Sequence, residues 1–426
     1  MEMNLNKIKK VHFIGIGGVG ISAIARLMYV SGKTVTGSDK SISHITDQLS
    51  TLGIEIFIGQ DEKNIKTDVD LVIHTIAIPE NNPELIQARL HNIETKTYPQ
   101  MLALISKNMF TVALSGTHGK TTTTAMLANI CTNALLDPTV IVGSLMKDTA
   151  SNLVVGQSNY FIVEACEYRR SFLNLYPTIL AITNIDTDHL DYYKNLADIQ
   201  SAFRELAFRV PKTGAIICNP NDPNLIPVLK DLSCTIIDYT LHINLHRTLK
   251  IPGLHNHQNA AVAHAIAHFL TIDDSVVENS LAQFNGTWRR FDFHGQTKNK
   301  ALLYDDYAHH PTEIKATLQG LKEMYPHMRC VVFFQPHLFS RTKSLLKEFS
   351  ESFTLADEIY ILPIYASREE FDPSITSEML SNKISGKKAF FIKNFDDARD
   401  RIQEFDKNTV IITMGAGDIY KILKKD

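Results

Sequence analysis

At 426 residues the chain is too long for one ordinary hydrophobic core, so about two to four domains are expected. An apolar fraction of 44% with a single Trp is that of a soluble globular enzyme and excludes fibrous and disordered classes. A formal net charge of −3, with basic residues scattered, gives no positive field for nucleic acid or an anionic membrane. The short Lys-Lys pairs near the two ends, Lys9-Lys10 and Lys424-Lys425, read as solvated tails. Five cysteines (Cys131, Cys166, Cys218, Cys234 and Cys330) form no Cys-x-x-Cys pair, which fits thiols in a reducing cytoplasm better than a disulfide frame or a zinc site. Met1 to Lys10 is polar and basic with no apolar signal core behind it, and no apolar run is long enough to span a bilayer.

The first unit is expected over residues 1–106. Val11–Ile14 reads as a strand, Gly15-Ile16-Gly17-Gly18-Val19-Gly20 as a glycine turn, and the residues through Tyr29 as an amphipathic helix. Val35–Asp39 is a second strand ending in an acid. This is a G-x-G-x-x-G fingerprint in a βαβ setting, with Asp39 about 20 residues on, as dinucleotide binding demands. Alone it suggests NAD, but any diphosphate can use the same helix N-terminus, UDP-sugars included. His74 and Thr75, at the end of the strand Leu71–Thr75, are candidates for lining the ligand crevice; His74 as a simple strand cap is the competing reading.

The second unit, residues 107–288, opens on the stretch that organises the rest. Phe110–Leu114 reads as a buried strand, Ser115 to Thr122 as a sharp turn, and Thr123–Cys131 as a helix. Free N–H groups at such a helix start favour an anion, Lys120 adds a positive charge, and the Thr121 hydroxyl is a Mg²⁺ ligand type. Leu114 stands where the standard P-loop has its first glycine, so this is a tighter Gly-Thr-His-Gly-Lys-Thr form; an ordinary glycine turn is the competing reading. Two acidic clusters follow strands, Glu164 to Arg170 and Asp186 to Asp191, on the edge where open sheets bind ligands. Carboxylates suit Mg²⁺, whereas His189 would be an unusual ligand for it, and Asp186, Asp188 and Asp191 read equally as helix caps. Residues 231–252 are β-like but thin. Asn256 and Asn259 stand before the Ala-rich helix Ala260–Leu270, where capping is the first expectation and reading an adenine edge the second.

The third unit, residues 289–426, alternates strands and helices and predicts another doubly wound sheet. Strands lead into Asp305-Asp306-Tyr307-Ala308-His309-His310-Pro311, into Gln335-Pro336-His337-Leu338-Phe339-Ser340-Arg341, and into Gly415-Ala416-Gly417-Asp418. Several polar strand ends on one edge point to a site. A helix cap at Asp305-Asp306 and a turn at His309-His310 are the competing readings.

These motifs, in this order over essentially the whole chain, resemble the Mur ligase family. The resemblance rests on Gly15 to Gly20, Gly116-Thr117-His118-Gly119-Lys120-Thr121, Glu164 to Tyr168, Thr183-Asn184-Ile185-Asp186-Thr187-Asp188-His189, His255 to Asn259, Arg289-Arg290-Phe291, Asp305 to Pro311 and Phe334 to His337. It implies an α/β fold of three domains: an N-terminal Rossmann-like UDP-binding domain, a central P-loop ATPase-like mixed sheet, and a C-terminal Rossmann-like domain. It implies ATP-dependent joining of an amino acid, L-alanine, to the carboxylate of UDP-N-acetylmuramate, with ATP and two Mg²⁺ ions, in the cytoplasm, as a monomer or homodimer. Gly15, Gly17, Gly18, Val19, Gly20, Ser38, Asp39, His74 and Thr75 would hold the UDP-sugar. Gly116, Thr117, His118, Gly119, Lys120, Thr121 and Thr122 would hold ATP phosphates, with Asn256 and Asn259 on the adenine side, Arg290 at the phosphates and Asp306 at the ribose. Thr121, Glu164 and His189 would be metal ligands; Lys120, Glu164, His189 and Arg290 the catalytic set; His337 and Arg341 the amino-acid site. Cys166 stands where the family often has Asp, and Leu338 where it often has Arg, which leaves the amino-acid carboxylate to Arg341. The stretches between Asn219 and Gly253 and after Arg290 are shorter than usual and read as trimmed surface loops.

Rival expectations are a ligase of the same family that recycles a murein tripeptide, an NAD-dependent oxidoreductase resting on Gly15 to Gly20 and Asp39, and a non-catalytic UDP-sugar-binding protein.

Overall fold

The structure, a computed structural model, describes residues 5–245, 249–367 and 369–423. The expected tail at Lys424-Lys425, the outermost residues Met1 to Asn4, and residues 246–248 of the thin β-like stretch lie outside the described residues. The strands form three sheets, one for each expected unit.

The first sheet contains β1 (Lys10–Ile14), β2 (Thr34–Asp39), β3 (Glu55–Ile58), β4 (Leu71–His74) and β5 (Glu94–Thr97), all parallel in the order β3-β2-β1-β4-β5. The chain order reverses between β1 and β4, and the glycine turn leaves β1 at that switch point, where such sheets bind ligands. The helix Val19–Val30 starts at Gly18 with no side-chain cap, so its first N–H groups are left for a ligand. Gly17 N–H donates to Asp39 Oδ2 (2.9 Å), which ties the acid after β2 to the turn. A Cβ at Gly17 would stand 2.8 Å from that oxygen, so glycine is needed there for close approach.

The second sheet contains β6 (Phe110–Ser115), β7 (Thr139–Met146), β8 (Ser151–Val154), β9 (Tyr160–Glu164), β10 (Ile179–Ile182), β11 (Ala215–Cys218) and β12 (Thr235–Asp238), in the order β12-β11-β10-β6-β9-β7-β8. It is mixed, as expected: β8 runs antiparallel to β7 and the other pairs are parallel. Central β6 is covered on both faces, with Val112 and Leu114 in one apolar cluster and Ala113 in another, which explains its unbroken apolar run. The helix Lys120–Asn133 packs on this sheet beside the helix Leu254–Phe269, whose many alanines allow the close approach. The thin stretch resolves into edge strand β12 and the 3₁₀ helix Tyr239–Leu245. Asn152, on β8, donates to Val19 O and to Ser22 Oγ (3.1 Å). The first glycine turn is therefore docked against the central domain.

The third sheet contains β13 (Asp292–Gln296), β14 (Leu302–Asp306), β15 (Arg329–Phe334), β16 (Glu358–Ile361), β17 (Lys388–Phe391) and β18 (Thr409–Met414), in the order β13-β14-β18-β15-β16-β17. It departs from a purely parallel sheet at β13, which is antiparallel to β14 and bulged between Phe293 and Gly295. Arg289 is buried beneath it. Its guanidinium donates to Asp305 Oδ2 (2.7 Å), Gly415 O (2.6 Å) and Gly417 O (2.7 Å), joining the ends of β14 and β18. The neighbouring Arg290 is half-buried and lines the larger cavity described below. Among the described residues no helix is long and apolar enough to cross a membrane.

Candidate active site

The turn after β6 is built around two glycines in the left-handed region, Gly116 (φ +129°) and Gly119 (φ +86°). A Cβ on Gly116 would collide with Thr183 Oγ1, and one on Gly119 with Asn259 Oδ1. Gly119 precedes the helix Lys120–Asn133, which has no side-chain cap, so its N-terminus is open to an anion. The turn is braced by Asn184: Thr117 N–H donates to its carbonyl (3.1 Å) and His118 N–H to its Oδ1 (2.9 Å). Gly116→Ala is expected to cost about 1–3 kcal/mol of stability through backbone strain and the clash with Thr183. It should also raise KM for ATP; thermal unfolding and steady-state kinetics on the same preparation check both.

Lys120 folds back over the turn, donating to Gly116 O and Thr117 O (3.0 Å) and pairing with Glu167 Oε2 (2.9 Å). Burial works against its charge, but the carboxylate of Glu167 holds its pKa above the usual lysine value. Thr121 Oγ1 donates to Glu164 Oε1 (3.1 Å), and Glu164 Oε2 accepts from Gly143 N–H (2.8 Å). His189 sits at φ +54° with Nε2 3.7 Å from Glu167 Oε1. Its Nδ1 is buried and has no hydrogen-bond partner among the described residues. Lys120, Glu164, Glu167 and His189 thus share one edge of the second sheet. A crevice of about 220 Å³ between the first two domains is lined by Gly20, Tyr98, Gly143, Glu164 and Cys166, so the first glycine turn opens toward Glu164.

The larger cavity, about 780 Å³, lies between the central and C-terminal domains. His118, Gly119, Thr122, Asn256, Asn259, Arg290 and Asp306 all line it. The capping expectation for Asn256 and Asn259 is corrected here. The helix begins earlier, at Leu254, and its N-cap is Gly253 at φ +95°, so both amides fall inside it. Asn256 Nδ2 donates to Pro252 O (2.7 Å), and Asn259 Oδ1 accepts from Thr123 Oγ1 (3.3 Å), behind the turn after β6. Asp306 accepts from Phe291 N–H (2.9 Å) and Ala308 N–H (2.8 Å), while burial pushes its carboxyl up to about 6.

The acidic residues after β10 cap no helix, since Asn195 caps the helix Leu196–Ala207. Asp186 and Asp188 reach the C-terminal domain instead. Asp188 Oδ1 accepts from Arg341 Nε (3.1 Å) and Nη2 (2.8 Å), and Arg341 Nη1 donates to His337 Nδ1 (3.1 Å). Asp191 accepts from Tyr168 OH (3.0 Å). Asp186 Oδ2 lies 3.2 Å from His118 Nε2 and accepts from Thr312 Oγ1 (2.8 Å). His118 Nδ1 lies 3.3 Å from Glu313 Oε1. His310 is the N-cap of the helix Pro311–Met324, in a capping box with Glu313, so the cap expected at Asp305-Asp306 belongs to a histidine first read as a turn filler.

Among the UDP-sugar candidates, Gly15 turns at φ +77°, His74 Nδ1 lies 3.1 Å from Thr75 O, and Thr75 Oγ1 accepts from Ala77 N–H (3.1 Å). Ser38 is buried, its hydroxyl donating to Glu84 Oε2 (2.6 Å). Leu338 is buried at φ +71°, its N–H donating to Tyr365 O (3.0 Å). Cys166 is exposed beside the smaller crevice. Glu167, Asn184 and Glu313 were not singled out from the sequence. Glu313 had a local signal, an acid three residues after the cap position; the partners of Glu167 and Asn184 are distant in sequence.

The His118 bridge joins two domains and titrates. Burial opposes the imidazolium, but Asp186 and Glu313 raise its pKa to about 9. Both carboxylates are held below their usual range. A raised folded-state value means that the bridge stabilises fully below about pH 6.5 and is lost as pH rises through about 9. The expected loss across that window is about 1–3 kcal/mol, read as the urea midpoint against pH, and His118→Gln should flatten that profile.

Models of three consecutive domain families match the chain. "Mur ligase family, catalytic domain" covers residues 10–109, "Mur ligase middle domain" residues 114–247, and "Mur ligase, glutamate ligase domain" residues 289–417. The UDP-N-acetylmuramate–L-alanine ligase of Clostridium tetani is 41% identical, with 98% of this chain and 97% of that protein aligned. The enzyme of the same name from Clostridium acetobutylicum is 41% identical over 97% and 96%. The crystal structure of the UDP-N-acetylmuramate-alanine ligase of Thermotoga maritima superposes with a TM-score of 0.79 at 29% identity, covering 97% of each chain. A murein peptide ligase from Psychrobacter arcticus gives 0.73 at 25% identity, again over 97% of each.

Proposed function

Because the chain belongs to the Mur ligase family, we propose that it joins L-alanine to the carboxylate of UDP-N-acetylmuramate, driven by ATP, as a step in building peptidoglycan precursors. The observation that carries this reading is the position of Glu164. It meets Thr121 of the phosphate turn at 3.1 Å and lines the crevice that also reaches Gly20 of the first glycine turn. A triphosphate held by one turn and a sugar acid held by the other would meet there.

A carboxylate does not form an amide at neutral pH, because oxide is too poor a leaving group. In the proposed mechanism the substrate carboxylate attacks the γ-phosphorus of ATP and expels ADP, and the free amine of L-alanine attacks the resulting acyl phosphate, loses a proton and expels phosphate. Gly116 to Thr122 hold the phosphates by backbone N–H groups and the Lys120 ammonium, with Arg290 on the far side. Asn256 and Asn259 face the adenine and Asp306 the ribose. His337 and Arg341 take the amino acid. Gly15, Gly17, Gly18, Val19 and Gly20, with Ser38, Asp39, His74 and Thr75, form the UDP-sugar side. The division is 1–106, 107–288 and 289–426.

The residues fit Mg²⁺. The Thr121 hydroxyl and Glu164 carboxylate converge as hard oxygen donors, and the buried Nδ1 of His189 has no hydrogen-bond partner among the described residues. Thr121, Glu164 and His189 would hold the two ions, which when bound neutralise charge between the two anions. Much of the remaining catalysis is positioning, since three ligands must meet in one cleft. The protein would act in the cytoplasm as a monomer or homodimer.

Phosphate release with UDP-N-acetylmuramate, ATP and a panel of amino acids tests the reading. L-Alanine should give the highest kcat/KM. Turnover with a murein tripeptide and not with alanine would assign the recycling reaction instead, and nicotinamide binding without turnover would revive the oxidoreductase reading. Hydride transfer leaves the second glycine turn, Glu164 and His189 without a use.

A further inference from the structure

We propose that His118, Asp186 and His310 form a site for a zinc-class divalent cation at the seam between the central and C-terminal domains. Among the described residues, this is a group whose ligand atoms all lie within 4.8 Å of one another. His118 Nε2 is 3.2 Å and His310 Nδ1 3.9 Å from Asp186 Oδ2. A tetrahedral ion about 2.0–2.2 Å from each donor sets the donors about 3.3–3.6 Å apart, so the 3.9 Å contact must close by about half an ångström.

The surroundings orient both imidazoles for this role. His310 Nε2 donates to Thr187 O (3.1 Å), so its Nδ1 carries the lone pair, which accepts the capping N–H of Thr312 (3.3 Å) and which a bound ion would take over from that cap. His118 Nδ1 faces Glu313 Oε1 (3.3 Å), the carboxylate–imidazole pairing that fixes a metal-bound histidine's tautomer and raises its basicity. A cation would replace the proton on His118 Nε2 and the Thr312 hydroxyl on Asp186 Oδ2. The two-imidazole, one-carboxylate set selects zinc-like ions over Mg²⁺, unlike the oxygen donors at Thr121 and Glu164. The fourth position is open to water.

His118 and Asp186 line the larger cavity and come from the central domain, whereas His310 comes from the C-terminal domain. The site exists only while the two domains are together. A bound ion would staple them and tie up His118 of the turn that receives the phosphates, so the ion acts as an inhibitor. The binding arm of the test stands without the ligase reading; only the inhibition arm rests on it.

The full chain, free of nucleotide, is titrated with Co²⁺ in excess Mg²⁺ and then with Zn²⁺. One equivalent of Co²⁺ should give the strong visible absorption of a four-coordinate ion, and Zn²⁺ should displace it. His310→Gln and Asp186→Asn should each weaken binding by about tenfold or more. Two variants are used because His310 also caps a helix; each is tested in the folded state, checked by thermal melting. Zn²⁺ should inhibit wild-type phosphate release and inhibit each variant less, relative to its own metal-free rate. Unchanged Zn²⁺ affinity in either folded variant, or displacement of Co²⁺ by Mg²⁺, overturns the proposal. Stoichiometric binding without any turnover would instead leave the site standing and remove the ligase reading.

Discussion

Lys120→Ala is expected to lower the ATP-dependent rate by about 10²–10³-fold, the usual consequence of losing one preorganised donor at a transferring phosphoryl group. The substitution has a second effect that has to be separated from the first. Lys120 pairs with buried Glu167 (2.9 Å), and its removal leaves that carboxylate without its cation. Breaking a buried pair from one side costs about 3–5 kcal/mol, so a fall in melting temperature is expected alongside the fall in rate. The double variant Lys120→Met with Glu167→Gln removes both charges and should recover most of the stability while leaving turnover as low as in the single variant. Near-normal ligation by a folded Lys120→Ala protein would refute the phosphate-turn assignment. Recovery of both rate and stability in the double variant would refute it as well, because the lysine would then serve only Glu167. The geometry also sets a requirement on binding. Lys120 is bonded to two carbonyls of its own turn, and ATP phosphates must draw it away from them.

What could be read from the sequence was what chain-local physics dictates. The two glycine turns were legible because each stands between a strand buried on both faces and a helix start, and because Gly116 and Gly119 occupy backbone conformations that side chains disfavour. The edge strands were not. β3 and β17 are four residues long and largely exposed, so they carry little hydrophobic alternation. The capping reading of Asn256 and Asn259 failed for a different reason. An asparagine near a helix start has a strong local preference for the cap, but Gly253 already supplies the turn, and the partner of Asn259 is Thr123, 136 residues away. His118, Asp186 and Glu313 look like unrelated polar residues along the chain. Their common purpose depends on how two domains meet, and no spacing encodes that. The acids after β10 were similarly underdetermined, since an acid that caps a helix and one that reaches across a cleft look alike until the packing is known.

The same ambiguity makes Arg341 the site of the other large expected effect. Its guanidinium is buried and donates through Nε and Nη2 to Asp188 Oδ1, leaving Nη1 to His337. Burial alone would raise the Asp188 carboxyl, but Arg341 holds it well below the usual range, so the pair stays ionised at any working pH. Arg341→Ala is therefore expected to lower stability by about 3–5 kcal/mol, with an uncompensated carboxylate left in the seam between two domains. If Arg341 also receives the amino-acid carboxylate, a separate kinetic signature must appear. Arg341→Lys restores a cation for Asp188 but not the planar fork, so stability should partly return while KM for L-alanine stays raised by about tenfold or more. KM for ATP should move little, because Arg341 does not line the larger cavity in which ATP is proposed to bind. Asp188→Asn gives the opposite arm. It weakens the competing acceptor, so KM for L-alanine should fall or hold even as the domain seam loosens. Parallel rises in both KM values for Arg341→Lys would mean that the arginine only closes the domains, and the amino acid would then have to be held elsewhere.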